Sequence, residues 1–334
     1  MPQAMLRQTV AVVIPVYRAG VGLEETAGEL AQLTEWKIGP DFVLELTEIV
    51  MVCDRPGALV NPAAFQSRLL AIDDRITVVW LSRNYGQHPA TVAGIASSNA
   101  DWIVTMDEDG QHDPAYIPMM LKAALENVSS LVYAKPSELA PHPWYRNATS
   151  GSAKVLYRLL TGQKTAFHSF RLVEGPPARA VCAYVGPNVY LDVALGWVLD
   201  NPSSVPVPMR AESMTESGYS VRSLLSHFWR MVLSSGTRPL RLIAVAGTLV
   251  ATLGILFAVY LIAATVFGGG PGVAGWASVM VALLTVSGVL LVAIAMLAEY
   301  VGYSVSMALG RPLYLITDPP ADRVLFKAVA AFRS

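Results

Sequence analysis

An acidic segment, Asp107–Gln111, follows directly after the short apolar run Trp102–Met106. Aspartates two residues apart on an extended exit from a strand can both reach one cation. Mg²⁺ in proteins typically takes one or two carboxylates together with phosphate oxygens. The segment therefore predicts a site for a divalent metal and a diphosphate, and a solvated loop is the alternative for such a turn in isolation. An EF-hand fits poorly, because Pro118 stands where that loop needs its last glutamate.

The acidic segment lies within an alternation of strand and helix patterns over residues 8–200. The expected strands are near-continuous apolar runs, as in parallel strands buried on both faces. They are Thr9–Val16, Leu44–Val52, Ile76–Leu81 and Trp102–Met106. Helical spacing predicts helices at Gly22–Leu33, Phe65–Ile72, His88–Ser98, Lys154–Leu160 and Val221–Ser235. The alternation predicts a doubly wound α/β sheet that holds ligands at the carboxyl ends of its strands.

Charge is distributed unevenly along the chain. Only 15% of the 334 residues are charged, against roughly 25% in an ordinary soluble protein. No charged residue lies between Arg241 and Glu299. Two uncharged runs of membrane-spanning length, Leu242–Phe267 and Trp276–Ala298, flank a glycine-rich turn. Arginines stand outside both runs and not in the turn, so the positive-inside rule places both termini in the cytoplasm. A buried core hairpin of a soluble protein is the alternative.

Composition also narrows the class of protein. A formal net charge of −1 argues against nucleic-acid binding driven by bulk charge. The two cysteines, Cys53 and Cys182, cannot form a disulfide framework, and their apolar surroundings indicate reduced, buried thiols in the cytosol. We expect no signal peptide in the first residues, because the apolar run Val10–Val16 is too short for one.

A series of short motifs runs in order along nearly the whole chain. They are Val13–Tyr17, Leu81–Gly86, Asp107–Pro114, Arg146–Arg158, Ser169–Leu172, Ser217–Ser220, Arg238–Arg241, Glu299–Gly302 and Gly310–Tyr314. Together they resemble the family-2 glycosyltransferases of GT-A fold and polyprenyl-phosphate type, the relatives of dolichol-phosphate mannose synthase. The resemblance implies an α/β, GT-A doubly wound sheet with a C-terminal two-helix transmembrane hairpin.

The resemblance also implies a division of the chain and a place in the cell. A cytoplasmic GT-A domain is expected over residues 1–220 and a juxtamembrane amphipathic helix over 221–241. Two transmembrane helices would follow over 242–301, and a cytoplasmic tail over 302–334. The protein is then a multi-pass protein of a bacterial-type inner membrane. We also expect a homo-oligomer, a tetramer by the resemblance, because small residues recur along one face of the first span at Ala244, Gly247, Ala251 and Gly254.

The implied activity is the transfer of one sugar from a nucleotide-diphosphate sugar to a polyprenyl phosphate, with Mg²⁺ or Mn²⁺ and with inversion. The metal ligands would be Asp107, Asp109 and Gln111, and the catalytic residues Asp109 and Asp192. The nucleotide sugar would be bound by Pro15, Tyr17, Asp54, Asn84, Asp107 and Gln111. The acceptor phosphate would be bound by Lys135, Arg146, Ser150, Arg210 and Ser220.

Two positions depart from the family pattern. Cys53 replaces the first acid of the nucleotide-binding turn, and Ser169 stands where an aspartate is common. Since serine is not a comparable base, either the phosphate acceptor needs no base and Asp192 supplies any acid, or the activity is lost.

Two further interpretations stay open, and the departures at Cys53 and Ser169 motivate the second of them. A processive polysaccharide synthase would usually carry a Q-x-x-R-W motif and more spans, which this chain lacks. A non-catalytic membrane scaffold or lipid-phosphate binder is the other alternative.

Overall fold

The computed structural model describes residues 5–18, 21–54, 59, 61–137, 168–186, 189–210, 238–267, 275–324 and 327–328. The helices predicted at Lys154–Leu160 and Val221–Ser235 lie outside these residues. The chain divides into two compact units, each described here by itself. The first comprises Met1–Trp144, Thr165–Tyr219 and Pro312–Ser334, and the second Tyr145–Lys164 and Ser220–Arg311.

The first unit is built on one mixed sheet. Its strands are β1 (Leu6–Val16), β2 (Glu35–Gly39), β3 (Phe42–Cys53), β4 (Ile76–Leu81), β5 (Trp102–Thr105), β6 (Leu131–Pro136), β7 (Arg171–Glu174), β8 (Ser203–Val207) and β9 (Ile316–Thr317). The order across the sheet is β8-β6-β7-β5-β1-β3-β4-β9, and β2 pairs with β3 off this path. The four central strands, β5, β1, β3 and β4, run parallel to one another.

The parallel centre is buried on both faces, as the apolar runs predicted. Val12, Ile14 and Met51 belong to one buried apolar cluster, whereas Val13 and Val52 belong to the cluster on the opposite face. A strand with both faces covered requires apolar side chains at consecutive positions. The four expected strands are therefore confirmed, with bounds that differ by a few residues at most.

The first unit contains six α-helices among the described residues. They are α1 (Val21–Ala31), α2 (Pro62–Leu70), α3 (Gln87–Ala96), α4 (Ile117–Asn127), α5 (Gly175–Cys182) and α6 (Leu191–Val198). Helix α2 begins earlier than predicted, because the Asn61 side chain accepts a hydrogen bond from Ala64 N and proline occupies the first turn. Helix α3 lies close on the sheet at Gly94, where an added Cβ would come within 2.3 Å of Val13 Cγ1.

The sheet differs from a purely parallel doubly wound sheet. Strand β7 is antiparallel to both β5 and β6, and β9 is antiparallel to β4. Strands β2, β6, β7, β8 and β9 and helices α4, α5 and α6 were not predicted. The fold class α/β is confirmed in this mixed form.

The second unit contains two long helices, α7 (Arg238–Val266) and α8 (Trp276–Ala308). Among the described residues, one segment, Thr285–Ala308, is long and apolar enough to cross a membrane. A shorter apolar segment lies within α7, at Ile243–Phe257. The structure thus gives one candidate span where the sequence predicted two.

Candidate active site

The candidate site lies where the four parallel strands end. Because parallel strands present their carboxyl ends at the same edge, the sheet order brings together the segments that follow β5, β1, β3 and β4. These segments begin at Met106, Tyr17, Asp54 and Ser82. Each contains a motif that the sequence singled out.

The Asp107 carboxylate is held in a fixed orientation. One oxygen accepts a hydrogen bond from Gln87 Nε2 at 2.5 Å, and the other accepts from Ser169 Oγ at 2.6 Å. Ser169 therefore binds Asp107 directly, at the position where an aspartate would have brought a second negative charge. This gives Ser169 a positioning role that the sequence comparison could not suggest.

Glu108, between the two aspartates, turns away from them and binds the loop after β1. Its carboxylate accepts from Tyr17 N at 3.1 Å and from Arg18 N at 3.0 Å. Two backbone donors on one carboxylate join the ends of neighbouring strands β1 and β5. No role for Glu108 was predicted from the sequence, although its position between two candidate metal ligands is a local signal.

Asp109 lies on an exposed turn, and one of its carboxylate oxygens accepts from Gln111 N at 3.0 Å. Gly110 has φ +76°, a left-handed conformation that favours glycine. Helix α1 approaches closely here, since an added Cβ on Gly22 would lie 3.3 Å from Asp109 backbone atoms. The turn is therefore narrow, and its shape depends on both glycines.

The donor set of this turn suits a hard divalent cation. Asp107 and Asp109 offer carboxylate oxygens, and a bound diphosphate would add the remaining oxygens that Mg²⁺ or Mn²⁺ prefers. Within the described ranges, no group of three or more His, Cys, Asp or Glu side chains is arranged as a complete metal site. Two carboxylates fit a cation that the substrate helps to hold, and they do not fit a resident structural metal.

His112 supports the turn from inside. It is buried, and its ring stacks on that of Phe170 with 4.8 Å between the ring centroids. Its Nδ1 accepts a hydrogen bond from Asp107 N at 3.0 Å. Burial lowers the pKa of His112 below its usual value, although the nearby Asp107 and Asp109 oppose that change. A neutral ring that accepts through Nδ1 fixes the backbone of the first candidate ligand.

Asp54 is buried and points into the protein. It is 2% exposed, and its two oxygens accept from Tyr85 N and Gly86 N, each at 2.7 Å. Burial raises the pKa of Asp54 above its usual value, and the two backbone donors hold that rise in check. Asp54 therefore fixes the loop after β4, and its predicted contact with the nucleotide stays a prediction. Its neighbour Cys53 is also buried.

Asp192, the predicted catalytic acid on α6, is 5% exposed. It forms a buried ion pair with Arg171 and accepts a hydrogen bond from Tyr133 OH at 2.9 Å. Arg171 Nε donates to Thr105 Oγ1 at 3.0 Å, and Thr105 Oγ1 donates to Ser169 O. The network thus runs from Asp192 to Ser169 and Asp107, and it supports a positioning role for Asp192.

The predicted acceptor-binding residues are only partly described. Arg146, Ser150 and Ser220 lie outside the described residues, and Lys135 is exposed at the end of β6. The Arg210 guanidinium is ion-paired with Glu29 at 2.8 Å and with Asp113 at 3.0 Å. A phosphate at Arg210 would have to compete with two carboxylates.

The remaining predicted donor-binding residues lie at the same edge. Pro15 is buried within β1, whereas Tyr17 and Asn84 are exposed. The backbone of Gln111 accepts from Arg210 N at 3.1 Å. None of the predicted contacts between these side chains and a ligand is tested by the structure.

An α/β sheet with paired carboxylates after a central parallel strand is suited to bind a nucleotide at the carboxyl ends of its strands. Residues 11–169, just under half of the chain, match the model of Glycosyl transferase family 2, the family that the sequence motifs resemble. This confirms the expected family and argues against the non-catalytic scaffold.

The similarity to known proteins covers nearly the whole chain. The undecaprenyl-phosphate 4-deoxy-4-formamido-L-arabinose transferase of Sodalis glossinidius is 25% identical, covering 92% of this chain and 92% of its own length. The Edwardsiella ictaluri protein of the same name is 27% identical, covering 93% and 94%. That of Pseudomonas aeruginosa strain LESB58 is 29% identical, covering 92% and 89%.

Solved structures with a similar chain trace were also found. Glucosyl-3-phosphoglycerate synthase from Mycobacterium tuberculosis, with Mn²⁺, UDP and phosphoglyceric acid, has a TM-score of 0.46 and 16% identity, covering 70% of this chain and 78% of its own. S. aureus TarS in complex with UDP-GlcNAc has a TM-score of 0.44 and 11% identity, covering 68% and 66%.

Proposed function

We propose that the protein transfers one sugar from a nucleotide-diphosphate sugar to a polyprenyl phosphate of the undecaprenyl type, at the cytoplasmic face of a bacterial inner membrane. The observation that carries the proposal is the Asp107–Gln111 turn, whose first carboxylate is oriented by Ser169 and Gln87. The acceptor class is supported by the similarity, over 92% of this chain, to an undecaprenyl-phosphate sugar transferase.

The residues of the turn would position the donor. Asp107 and Asp109, with Gln111, would hold Mg²⁺ or Mn²⁺ against the diphosphate, and that cation stabilises the charge of the leaving nucleotide diphosphate. Ser169 and Gln87 fix Asp107 beforehand, and Glu108 fixes the loop at Tyr17. Such preorganisation lowers the entropic cost of bringing donor and acceptor together.

The acceptor chemistry follows from the same contacts. A sugar hydroxyl has a high pKa and requires a general base, whereas a phosphate oxygen is already anionic. The Ser169 hydroxyl donates a hydrogen bond to Asp107, and a neutral hydroxyl is too weak a base to deprotonate a sugar hydroxyl. A phosphate that attacks the anomeric carbon with inversion needs cationic and hydroxyl donors that hold it in place. We assign the cationic role to Lys135, Arg146 and Arg210 and the hydroxyl role to Ser150 and Ser220.

The direct test is transfer in purified membranes that contain the protein, with undecaprenyl phosphate and a panel of UDP-, GDP- and dTDP-sugars. We expect one donor to give a lipid-linked sugar only when Mg²⁺ or Mn²⁺ is present. If no donor gives product, the protein is not the proposed transferase.

Arg146→Ala is expected to raise the KM for the lipid phosphate by about ten- to a hundredfold, the effect of losing about 1.5–3 kcal/mol from a charge-assisted contact. The KM for the nucleotide sugar should change little. Arg68→Ala is the matched control, because Arg68 forms an exposed pair with Glu24 at 3.0 Å. Equal effects on both substrates, or efficient transfer to a soluble sugar without lipid, would contradict the assignment.

We also propose that both uncharged runs cross the membrane, so that the chain is a two-span hairpin with cytoplasmic termini. The absence of charge between Arg241 and Glu299 supports this topology. Reporter fusions at Met1 and Ser334 should both give a cytosolic signal, and a periplasmic signal at either end would overturn the two-span topology.

The proposed homo-oligomer is checked by light scattering of the full chain in detergent, where a monomeric mass would exclude the oligomer.

A further inference from the structure

The chain returns to the sheet after its long apolar helices. Strand β9 pairs with the edge strand β4, with Ile316 opposite Leu81 and Thr317 opposite Trp80. The pairing extends one residue further, because Ser82 N donates to Leu315 O at 2.9 Å. The residues after α8 are therefore joined to the point where β4 ends.

Arg323 stabilises this connection through hydrogen bonds. Its Nη2 donates to Leu81 O at 3.3 Å and to Thr317 Oγ1, and its Nε donates to Asp318 O at 3.1 Å. One guanidinium thus binds the last residue of β4 and two residues of the tail. A planar group with several fixed donors is suited to hold such a junction.

The loop that begins at this junction contains the backbone donors of Asp54. Ser82 is held by the tail, and three residues later Tyr85 N and Gly86 N bind Asp54. Tyr85, Leu313 and Tyr314 pack against the same buried cluster. Burial raises the pKa of Tyr314, in keeping with its place in this apolar contact.

We infer that the segment Leu313–Arg323, called here the tail clasp, is a positioning element for the nucleotide-sugar donor. By fixing residues 81–86 it holds Asp54 and Asn84 in place at the carboxyl edge of the sheet. The inference rests on the proposed function for the identity of the donor. Its contacts are with the loop after β4 and not with the acidic turn, so the clasp acts on donor binding and not on the chemical step.

The test uses Arg323→Ala in the full chain, with Lys327→Ala as the matched control. Lys327 is a neighbouring cation whose side chain is 62% exposed and lies 3.5 Å from Asp322. Arg323→Ala removes all three hydrogen bonds of the guanidinium, and we expect it to raise the KM for the nucleotide sugar by about tenfold or more. The kcat and the KM for the lipid should stay near the wild-type values, and Lys327→Ala should change none of them.

Hydrogen exchange provides a measurement that does not depend on activity. In Arg323→Ala, the peptide that contains Tyr85 and Gly86 should exchange faster than in the wild type and in Lys327→Ala. Thr317→Val, which removes only the side-chain acceptor of Arg323, should show the same change to a smaller extent. This milder variant decides the question if Arg323→Ala does not fold.

The two proposals fail in different ways. Suppose that the wild type transfers sugar, and that Arg323→Ala and Lys327→Ala have the same KM for the nucleotide sugar and the same hydrogen-exchange rates. The clasp then does not position the donor. A similar rise in both KM values would also contradict it. If the wild type transfers no sugar from any nucleotide donor, the proposed function fails, while faster exchange at Tyr85 would still show that the clasp fixes the loop.

Discussion

Asp109→Ala is expected to abolish sugar transfer while leaving the fold intact. The side chain lies on an exposed turn, so its loss removes few packing contacts. It is one of two carboxylates at the end of β5 that suit a cation and diphosphate. Loss of a residue that only orients a metal ligand lowers metal affinity or activity by about 10–100-fold. Loss of the ligand itself should lower the activity by more than that. Transfer by the variant at the wild-type rate would show that the metal assignment is wrong.

Ser169 variants extend this prediction to the contact that orients Asp107. Ser169→Ala removes the hydrogen bond to Asp107 Oδ2 and should raise the Mn²⁺ concentration for half-maximal activity by about tenfold or more. Ser169→Thr keeps a hydroxyl and should restore much of the affinity. Direct titration of Mn²⁺ in the presence of the nucleotide diphosphate gives a readout besides turnover. Glu126→Gln, which alters an exposed pair with Lys122, is the control for loss of a carboxylate.

Asp192→Ala is expected to reduce the free energy of unfolding by about 3–5 kcal/mol, the cost of leaving a buried charge without its partner. The Arg171 side chain is only 4% exposed, so water cannot replace the lost carboxylate. Thermal unfolding of the full chain in detergent measures the change. Glu126→Ala should shift stability by no more than about 1 kcal/mol, because it breaks an exposed pair.

A second variant separates a structural from a catalytic role for Asp192. Replacing the pair together, Arg171→Met with Asp192→Leu, should recover much of the lost stability, because apolar groups of similar size can fill a buried ion-pair site. If Asp192→Asn instead keeps the wild-type melting temperature and lowers kcat, Asp192 acts as the catalytic acid that the sequence suggested.

The sequence was most informative at the centre of the sheet. Val13 and Val52 lie on one face and Ile14 and Met51 on the other, and burial on both faces leaves an unbroken apolar run that a single sequence displays. Strand β7 has no such signal, since it is four residues long and begins with Arg171. That arginine is buried only because Asp192 meets it from another element. Such strands depend on partners that are distant along the chain, and the local sequence pattern does not show those partners.

The candidate site shows the same limit. The acidic turn could be predicted, because a strand followed by two spaced aspartates is a local pattern. The orientation of the side chains could not. Asp54 faces inward to Tyr85 N and Gly86 N, and Ser169, which seemed a lost base, contacts Asp107 across 62 residues of chain. In both cases a distant hydrogen-bond partner decides the role.

Strand β9 also determines the order in which the protein is completed during synthesis. Its partner β4 is made early, but the contact between Arg323 and Leu81 spans 242 residues, and both long helices are translated in between. Until Ile316 and Thr317 have been translated, the outer edge of β4 has no strand beside it and can pair with another nascent chain. A ribosome that stops after α8 would release a protein with both long helices complete and its sheet one strand short. The edge of the sheet at β4 is therefore covered only by residues that are translated after both long helices.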